Sequence, residues 1–444
     1  MTEPRFDDHL ETVSTHVERA LELARDAGVD VDGALFHSGT RRYYHRDDRP
    51  IPFRPTGHFL RFAPLFGPDH VIRYEAGRIE LFEMVPRDYW EEVPAPSSHP
   101  FRSAISVSTV PDRETLVRTL GDGSRLAYLG DDPALASRLG VDPAHVEPTP
   151  LVQALDWFRA EKTDYEIGRI RAAVTRAARG YRAALEGFHA RECERAINDR
   201  FYAATEHRET DIAFDPVIAW DDHASILHYQ SKRTSAPERG RVLLVDAGAS
   251  VDGYSSDTTR TYLHDGTPDR FRTIVARLGA LVDELIEAIR PGVEVVALHE
   301  RADRGIAEIL CDTGVLRVSA DEAFAQNLTA PFFPHGLGHH LGICVHDSGG
   351  FLRGPADPVE PPPKRYPFLR TTRPLDERHV MTIEPGIYFI PLLLDPFRGG
   401  PNDAAFDWKG IDQELRPCGG VRIEDDVRVT ASGSENLTRV EIPR

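Results

Sequence analysis

Leu244-Val245-Asp246-Ala247-Gly248, followed by Tyr254-Ser255-Ser256-Asp257-Thr258-Thr259-Arg260, runs an apolar strand straight into a carboxylate and returns through a second strand with another. Asp252-Gly253 supplies the reversal between them. Folded about its midpoint, such a hairpin sets Asp246 across from Asp257, where cross-strand Cβ atoms stand about 4.5–5.5 Å apart. Two anions that close repel until one takes a proton or a cation joins them. Divalent metal resolves the conflict, although a turn-capping Asp beside a surface Asp would read the same in isolation.

Working outward, Phe333-Pro334-His335-Gly336-Leu337-Gly338-His339-His340-Leu341-Gly342 with Val345-His346-Asp347 places four histidines within twelve residues. Imidazole is the commonest metal ligand and a ready acid or base. His335 and His339 have the i, i+4 spacing of a zinc-protease helix, but Gly336 stands where its Glu belongs and Gly338 weakens a helix further, so that reading is rejected. Thr382-Ile383-Glu384-Pro385-Gly386 and Val421-Arg422-Ile423-Glu424-Asp425 each put a Glu inside an apolar run, where an unpaired carboxylate is costly. An arginine partner for Glu424 or a solvated edge for Glu384 is the plainer alternative. Taken together, two Asp, two Glu and one or more His suit a pair of Mn²⁺, Co²⁺ or Zn²⁺ ions without any cysteine. Paired ions of this kind lower the pKa of a bridging water, which points to hydrolysis.

The rest of the chain is consistent with a globular enzyme. Its 444 residues suggest two domains, and 41% hydrophobic with 28% charged residues is ordinary for a packed, water-soluble protein. With 53 Lys+Arg against 71 Asp+Glu the net charge is −18, which disfavours nucleic acid and anionic lipid as partners. Cys193, Cys311, Cys344 and Cys418 form no CxxC pair, and the first residues lack a basic start and apolar run, so a reduced cytoplasmic setting with no membrane anchor is expected. Leu10, Val13, Val17, Leu21 and Ala24 predict an opening amphipathic helix; short apolar runs at 34–36, 71–74, 79–85 and 126–129 predict strands of a mixed α/β domain. Two prolines in 147–150 mark a boundary, giving residues 1–150 and 151–444. Beyond it, Thr163-x-x-Glu166 is a capping box for a helix following Ile167 to Phe188, another helix is expected over 270–288, and strands at 242–245, 254–262, 380–390 and 421–429. The proline-rich 355–367 reads as a rigid loop.

These motifs, in this order, resemble those of the pita-bread metallopeptidases, and the whole chain, including Phe36-His37-Ser38-Gly39 and Asp47-Asp48, is similar to bacterial Xaa-Pro dipeptidases. The resemblance implies an α+β protein: a C-terminal pita-bread catalytic domain with a smaller N-terminal α/β domain that covers the site and closes a homodimer, loops around 47–58 reaching a neighbour's pocket. It implies that Asp246, Asp257, His339, Glu384 and Glu424 hold two divalent ions, usually manganese, with Asp257 and Glu424 bridging them and a hydroxide. Glu384 would be the general base, His346 and His228 would contact the scissile carbonyl and substrate, and Arg370 would receive the proline carboxylate. His335 and Arg422 would orient the ligands. One departure is Phe214, where relatives tend to carry a Tyr, so the pocket loses a hydroxyl. The expected substrate is an Xaa-Pro dipeptide. The rivals are an Xaa-Pro aminopeptidase, a phosphotriester or organophosphorus hydrolase using the same centre, and a non-catalytic module that has kept the shell.

Overall fold

The computed structural model describes residues 5–87, 89–90, 95–208 and 212–443. The opening helix spans Phe6–Asp26 and buries the predicted stripe Leu10, Val13, Val17, Leu21 and Ala24. Strands β1 (Gly33–His37), β2 (Val71–Glu75), β3 (Arg78–Met84), β4 (Ser106–Val110) and β5 (Leu126–Leu129) follow, each within a residue or two of an expected apolar run where one was read. They form one sheet in the order β4-β3-β2-β1-β5, with β1–β5 and β3–β4 parallel and the other two pairs antiparallel.

The prolines at 148 and 150 do not interrupt the chain; they begin a helix. Pro148 caps Thr149–Arg159 and Pro150 lies in its first turn, where a missing N–H leaves no bond unmade. Leu151, Ala154 and Leu155 of that helix pack into the same core as Val13 and Val17 of the opening helix, and this core continues to Ile170, Tyr181, Trp220 and Val245. Four residues later Thr163 opens the helix Asp164–His189 with both arms of the capping box made. A separate core beneath the C-terminal half is filled from the helices Asp269–Glu287 and Val295–Asp312 together with Met381, Ile383, Ile387 and Val427.

The C-terminal half is assembled from short antiparallel ladders. β6 (Val217–Trp220), β7 (Val242–Ala247), β8 (Ser250–Val251), β9 (Tyr254–Ser255) and β10 (Thr258–Leu263) give the order β10-β7-β6, with β8 and β9 forming the tip. β11 (Val380–Ile383), β12 (Gly386–Tyr388), β13 (Gly420–Arg422), β14 (Asp425–Thr430) and β15 (Gly433–Asn436) pair as β11-β14-β15 and β12-β13. The long strands expected at 254–262, 380–390 and 421–429 are therefore each broken, at 256–257, at 384–385 and at 423–424. Pro385 cannot donate to a ladder, and at all three breaks a carboxylate-bearing residue, Asp257, Glu384 or Glu424, leaves the regular register. Single bridges, Thr259 to Glu424 and His340 to Met381, sew the pieces into one curved surface.

Candidate metal centre

The turn of the first hairpin is centred on Asp252 and Gly253, both at positive φ (52° and 88°), which suits the right-handed twist of its arms. In that register Asp246 lies opposite Thr259. Asp257 is thus not directly across from Asp246 as the midpoint reading had it; it sits two residues earlier, diagonally placed on the same face of the ladder. Room for this comes from Gly248, where a Cβ would fall 2.0 Å from the Ser256 carbonyl oxygen.

The histidine segment does not form a helix. Gly338 packs flat on β11, a Cβ there falling 1.9 Å from the Thr382 carbonyl oxygen, and the His339 N–H donates to Thr382 Oγ1 at 3.1 Å. His339 Nδ1 lies 3.0 Å from the His340 carbonyl, which can only accept, so Nδ1 carries the proton and Nε2 is free to ligate. That Nε2 stands 3.5 Å from Asp257 Oδ2 and 3.5 Å from Glu384 Oε1. Asp257, His339 and Glu424 each offer a ligand atom within 4.8 Å of the others, and all three are buried.

Around this trio the side chains are tied down. Thr259 Oγ1 donates to Glu424 Oε2 at 2.6 Å, and Thr382 Oγ1 donates to Glu384 Oε1 at 3.2 Å. Arg422 donates to Asp246 Oδ2 at 2.5 Å, to Thr259 Oγ1 at 2.9 Å and to the Tyr388 hydroxyl at 2.8 Å. Because Tyr388 already accepts from Arg422, its own proton goes to His335 Nε2 at 2.9 Å, and His335 Nδ1 donates to the Gly336 carbonyl at 2.8 Å. Burial, with the Arg422 charge adding to it, holds His335 neutral by lowering its pKa to about 3. The Asp257 N–H donates to Asp426, a fully buried carboxylate at 3.1 Å.

Five carboxylates, Asp246, Asp257, Glu384, Glu424 and Asp426, thus share a buried volume with Arg422. Burial first, then their mutual repulsion, pushes Asp257 and Glu424 well above the usual carboxylate range. Burial also raises Glu384, against the opposing pull of His339 and Arg422. Asp246 Oδ1 is buried without any hydrogen-bond partner. An orphaned carboxylate oxygen, an excess of buried anions and one imidazole nitrogen freed by its tautomer are the donor set that divalent cations fit.

A cavity of about 1040 Å³ opens onto this centre and is lined by Asp246, Asp257, His335, His339, Glu384, Arg422 and Glu424. His228, His346 and Arg370 also line it, so all the expected site residues meet at one place. His228 and Arg370 are exposed on its wall. The His346 ring stands edge-on to that of His339 at 4.3 Å, and burial, with the nearby Arg370 charge adding to it, lowers its pKa to about 3. Phe214 lines the cavity beside Gly248. Sequence reading did not single out Tyr388, Thr382 or Asp426. Thr259 could have been found, since it lies two residues from Asp257 and therefore on the same strand face. Within the 47–58 stretch, Arg54 lines this chain's own cavity and donates to the carbonyls of Ile343 (2.5 Å), Gly253 (3.3 Å) and Ala213 (3.4 Å).

Comparison with known proteins gives this arrangement a family. Residues 167–431 match the model of metallopeptidase family M24, and residues 4–157 match that of the Xaa-Pro dipeptidase N-terminal domain. An Xaa-Pro dipeptidase of Klebsiella pneumoniae is 36% identical over 96% of this chain and 97% of its own. One from Cronobacter sakazakii is 35% identical over 98% and 97%. Among solved structures, aminopeptidase P from E. coli with the inhibitor Pro-Leu superposes with a TM-score of 0.73 at 22% identity, covering 98% of this chain and 96% of that one. Aminopeptidase PepP of Pseudomonas aeruginosa gives 0.71 at 23%, covering 97% and 96%. These structural likenesses establish the pita-bread fold, and the family implies divalent metal ions. The chain belongs to metallopeptidase family M24, is a hydrolase, and carries the N-terminal domain of the bacterial Xaa-Pro dipeptidases.

Proposed function

We propose that the protein hydrolyses Xaa-Pro dipeptides at the bond preceding a C-terminal proline, using two divalent ions, manganese by resemblance to its family. The observation that carries this reading is that one cavity is lined both by the carboxylate and histidine set and by Arg370. Its relatives named Xaa-Pro dipeptidase match over nearly their full length, which supports the same substrate class. Asp246, Asp257, His339, Glu384 and Glu424 would hold the ions, which when bound would supply a water acidic enough to lose its proton near neutral pH.

The remaining work falls to the chain. Arg370 receives the proline carboxylate with a planar fork, which orients the dipeptide and disfavours a peptide continuing past proline. His346 and His228 donate to the carbonyl oxygen as it gains charge. Glu384 accepts the proton of the attacking water and delivers it to the prolyl nitrogen as the C–N bond breaks. As in any amide, protonation of the nitrogen is what makes it a leaving group, here as the secondary amine of proline. The cytoplasmic setting is supported by four unpaired cysteines. A homodimer is supported by Tyr43, Tyr44 and Ile51, which stand exposed together near the bridge Tyr43–Pro50.

Rates on Ala-Pro, Gly-Pro-Ala and a fluorophosphate test the assignment. Ala-Pro is cleaved and Gly-Pro-Ala is turned over at least about a hundredfold more slowly, as expected of a site built around a charged terminus. Equal rates on the two peptides, or activity confined to phosphorus, would contradict it.

A further inference from the structure

His346 and Asp347 are neighbours that point in opposite directions. His346 lines the cavity, whereas the Asp347 side chain is completely buried behind it. Its partners come from the connector between the two halves of the molecule. Arg159, the last residue of the helix Thr149–Arg159, donates to Asp347 Oδ1 at 2.8 Å and to Ser348 Oγ at 2.6 Å. Lys162 Nζ stands 3.1 Å from Asp347 Oδ2 and donates to the carbonyls of Arg159 (2.8 Å) and Ala160 (3.1 Å). The Arg159 and Lys162 side chains are 5% and 1% exposed.

Three charges withdrawn from water in one place are costly to a fold, and apolar residues of similar size would serve stability as well or better. Burial alone would raise the Asp347 carboxyl, yet Arg159 and then Lys162 outweigh it and hold the group well below the usual range. The surroundings are cut to fit. A Cβ at Gly57, on the N-terminal side of the seam, would fall 2.8 Å from Arg159 Nη1; one at Gly342 would fall 2.4 Å from Asp347 Oδ2; one at Gly349 would meet the Asp156 carbonyl at 2.6 Å. Behind Arg159, Asp156 holds His58 at 3.2 Å. The Asp347 N–H closes the loop on the His340 carbonyl at 2.9 Å, so the segment between the ligand His339 and Ser348 is fixed at both ends.

We propose that Arg159 is a positioning residue for the reaction: through Asp347 and Ser348 it holds the 341–348 loop so that His346 stands at the cavity wall beside His339. The inference rests on the role given to His346 above. It makes the connector, and the N-terminal half packed on it, part of the catalytic geometry.

The test is a double-mutant cycle on Ala-Pro hydrolysis at saturating Mn²⁺, with bound metal measured for every variant. Arg159→Gln is chosen because Lys162 remains to neutralise Asp347, and Gly57→Ala runs beside it because it leaves every charge in place. Each lowers kcat by about tenfold or more with KM and metal content little changed, the loss expected when a reacting group shifts by a fraction of an ångström. Arg159→Lys restores part of that loss. In a His346→Ala background the same substitutions cost no more than about twofold further, because residues acting through one group are not additive. Should their effects multiply in full on top of His346→Ala, or should both leave kcat unchanged, the positioning role is overturned while the reading of His346 stands. Should His346→Ala itself leave kcat unchanged, the reading of His346 falls and the positioning role falls with it.

Discussion

Glu424 sits where burial and three other carboxylates, Asp257, Glu384 and Asp246, all favour its protonated form. Without cations the site therefore works against the fold at neutral pH, and Glu424→Gln removes one of the repelling charges while keeping an oxygen for the Thr259 hydroxyl. In chelator, this variant is predicted to melt higher than the wild-type protein, by an amount equivalent to about 1–2 kcal/mol, although it loses activity by at least about a thousandfold. Thermal melts in chelator with parallel assays on Ala-Pro check both halves of the prediction; a lower melting temperature would show that the carboxylates are not in conflict. Tyr388→Phe tests the orienting chain. It deletes the hydroxyl that accepts from Arg422 and donates to His335, and is predicted to cost about 1–2 kcal/mol of stability with a fall in kcat, measured by denaturant unfolding and steady-state kinetics. The candidate ligands were legible because a charged residue inside an apolar run is conspicuous. Tyr388 and Thr382 were not, because in sequence they look like ordinary strand residues and their role depends on which hydroxyl faces which carboxylate.

At the scale of elements, the site depends on strands that stop where a candidate ligand begins. Three long helices, Phe6–Asp26, Asp164–His189 and Asp269–Glu287, are legible to within a few residues from their amphipathic stripes, the second also from its capping box, whereas Glu194–Thr205 and Val295–Asp312 were not read. Strand ends were harder. In the run 380–390 Glu384 is the one charged residue among mostly apolar neighbours, and only the missing N–H of Pro385 hints that β11 ends and β12 begins around the carboxylate. The register of the hairpin was also misread, because a turn centred one position later moves the partner of Asp246 from Asp257 to Thr259. Close backbone approach is the signature of these joints. Gly338→Ala drives a methyl into the Thr382 carbonyl and is predicted to destabilise the protein by about 2–4 kcal/mol and to weaken metal binding, since the next residue is His339. Urea unfolding and metal titration check this; a variant with wild-type stability and affinity would show that the contact relaxes freely.

Across the whole molecule, one core runs from the opening helix into the catalytic half, and the proline-marked segment at 147–150 begins a helix that belongs to it. Length and composition indicated a two-part acidic globular protein but could not show this shared core, which depends on how helices meet in space. The same burial makes the fold sensitive to acid. His9, His70 and His299 are nearly inaccessible, and burial lowers each to about 4, below the 6.5 of an exposed imidazole. Unfolded chains bind protons at these residues below pH 6.5 while the native protein does not, so stability is full above that value and falls as pH drops toward 4. Each contributes on the order of 1–3 kcal/mol across the window, and melts of the metal-loaded protein from pH 7.5 to 4.5 are predicted to fall steadily. A flat profile would contradict the buried neutral state. The central claim, that these carboxylates and His339 hold the cations that make hydrolysis before proline possible with Glu384 moving the proton, is tested most directly by Ala-Pro turnover of metal-stripped protein re-supplied with Mn²⁺, beside Glu384→Gln at saturating metal. The wild-type protein is predicted to be inactive when stripped and restored by Mn²⁺, and the variant to stay at least about a thousandfold slower; full activity in the stripped protein, or in Glu384→Gln, would contradict the account.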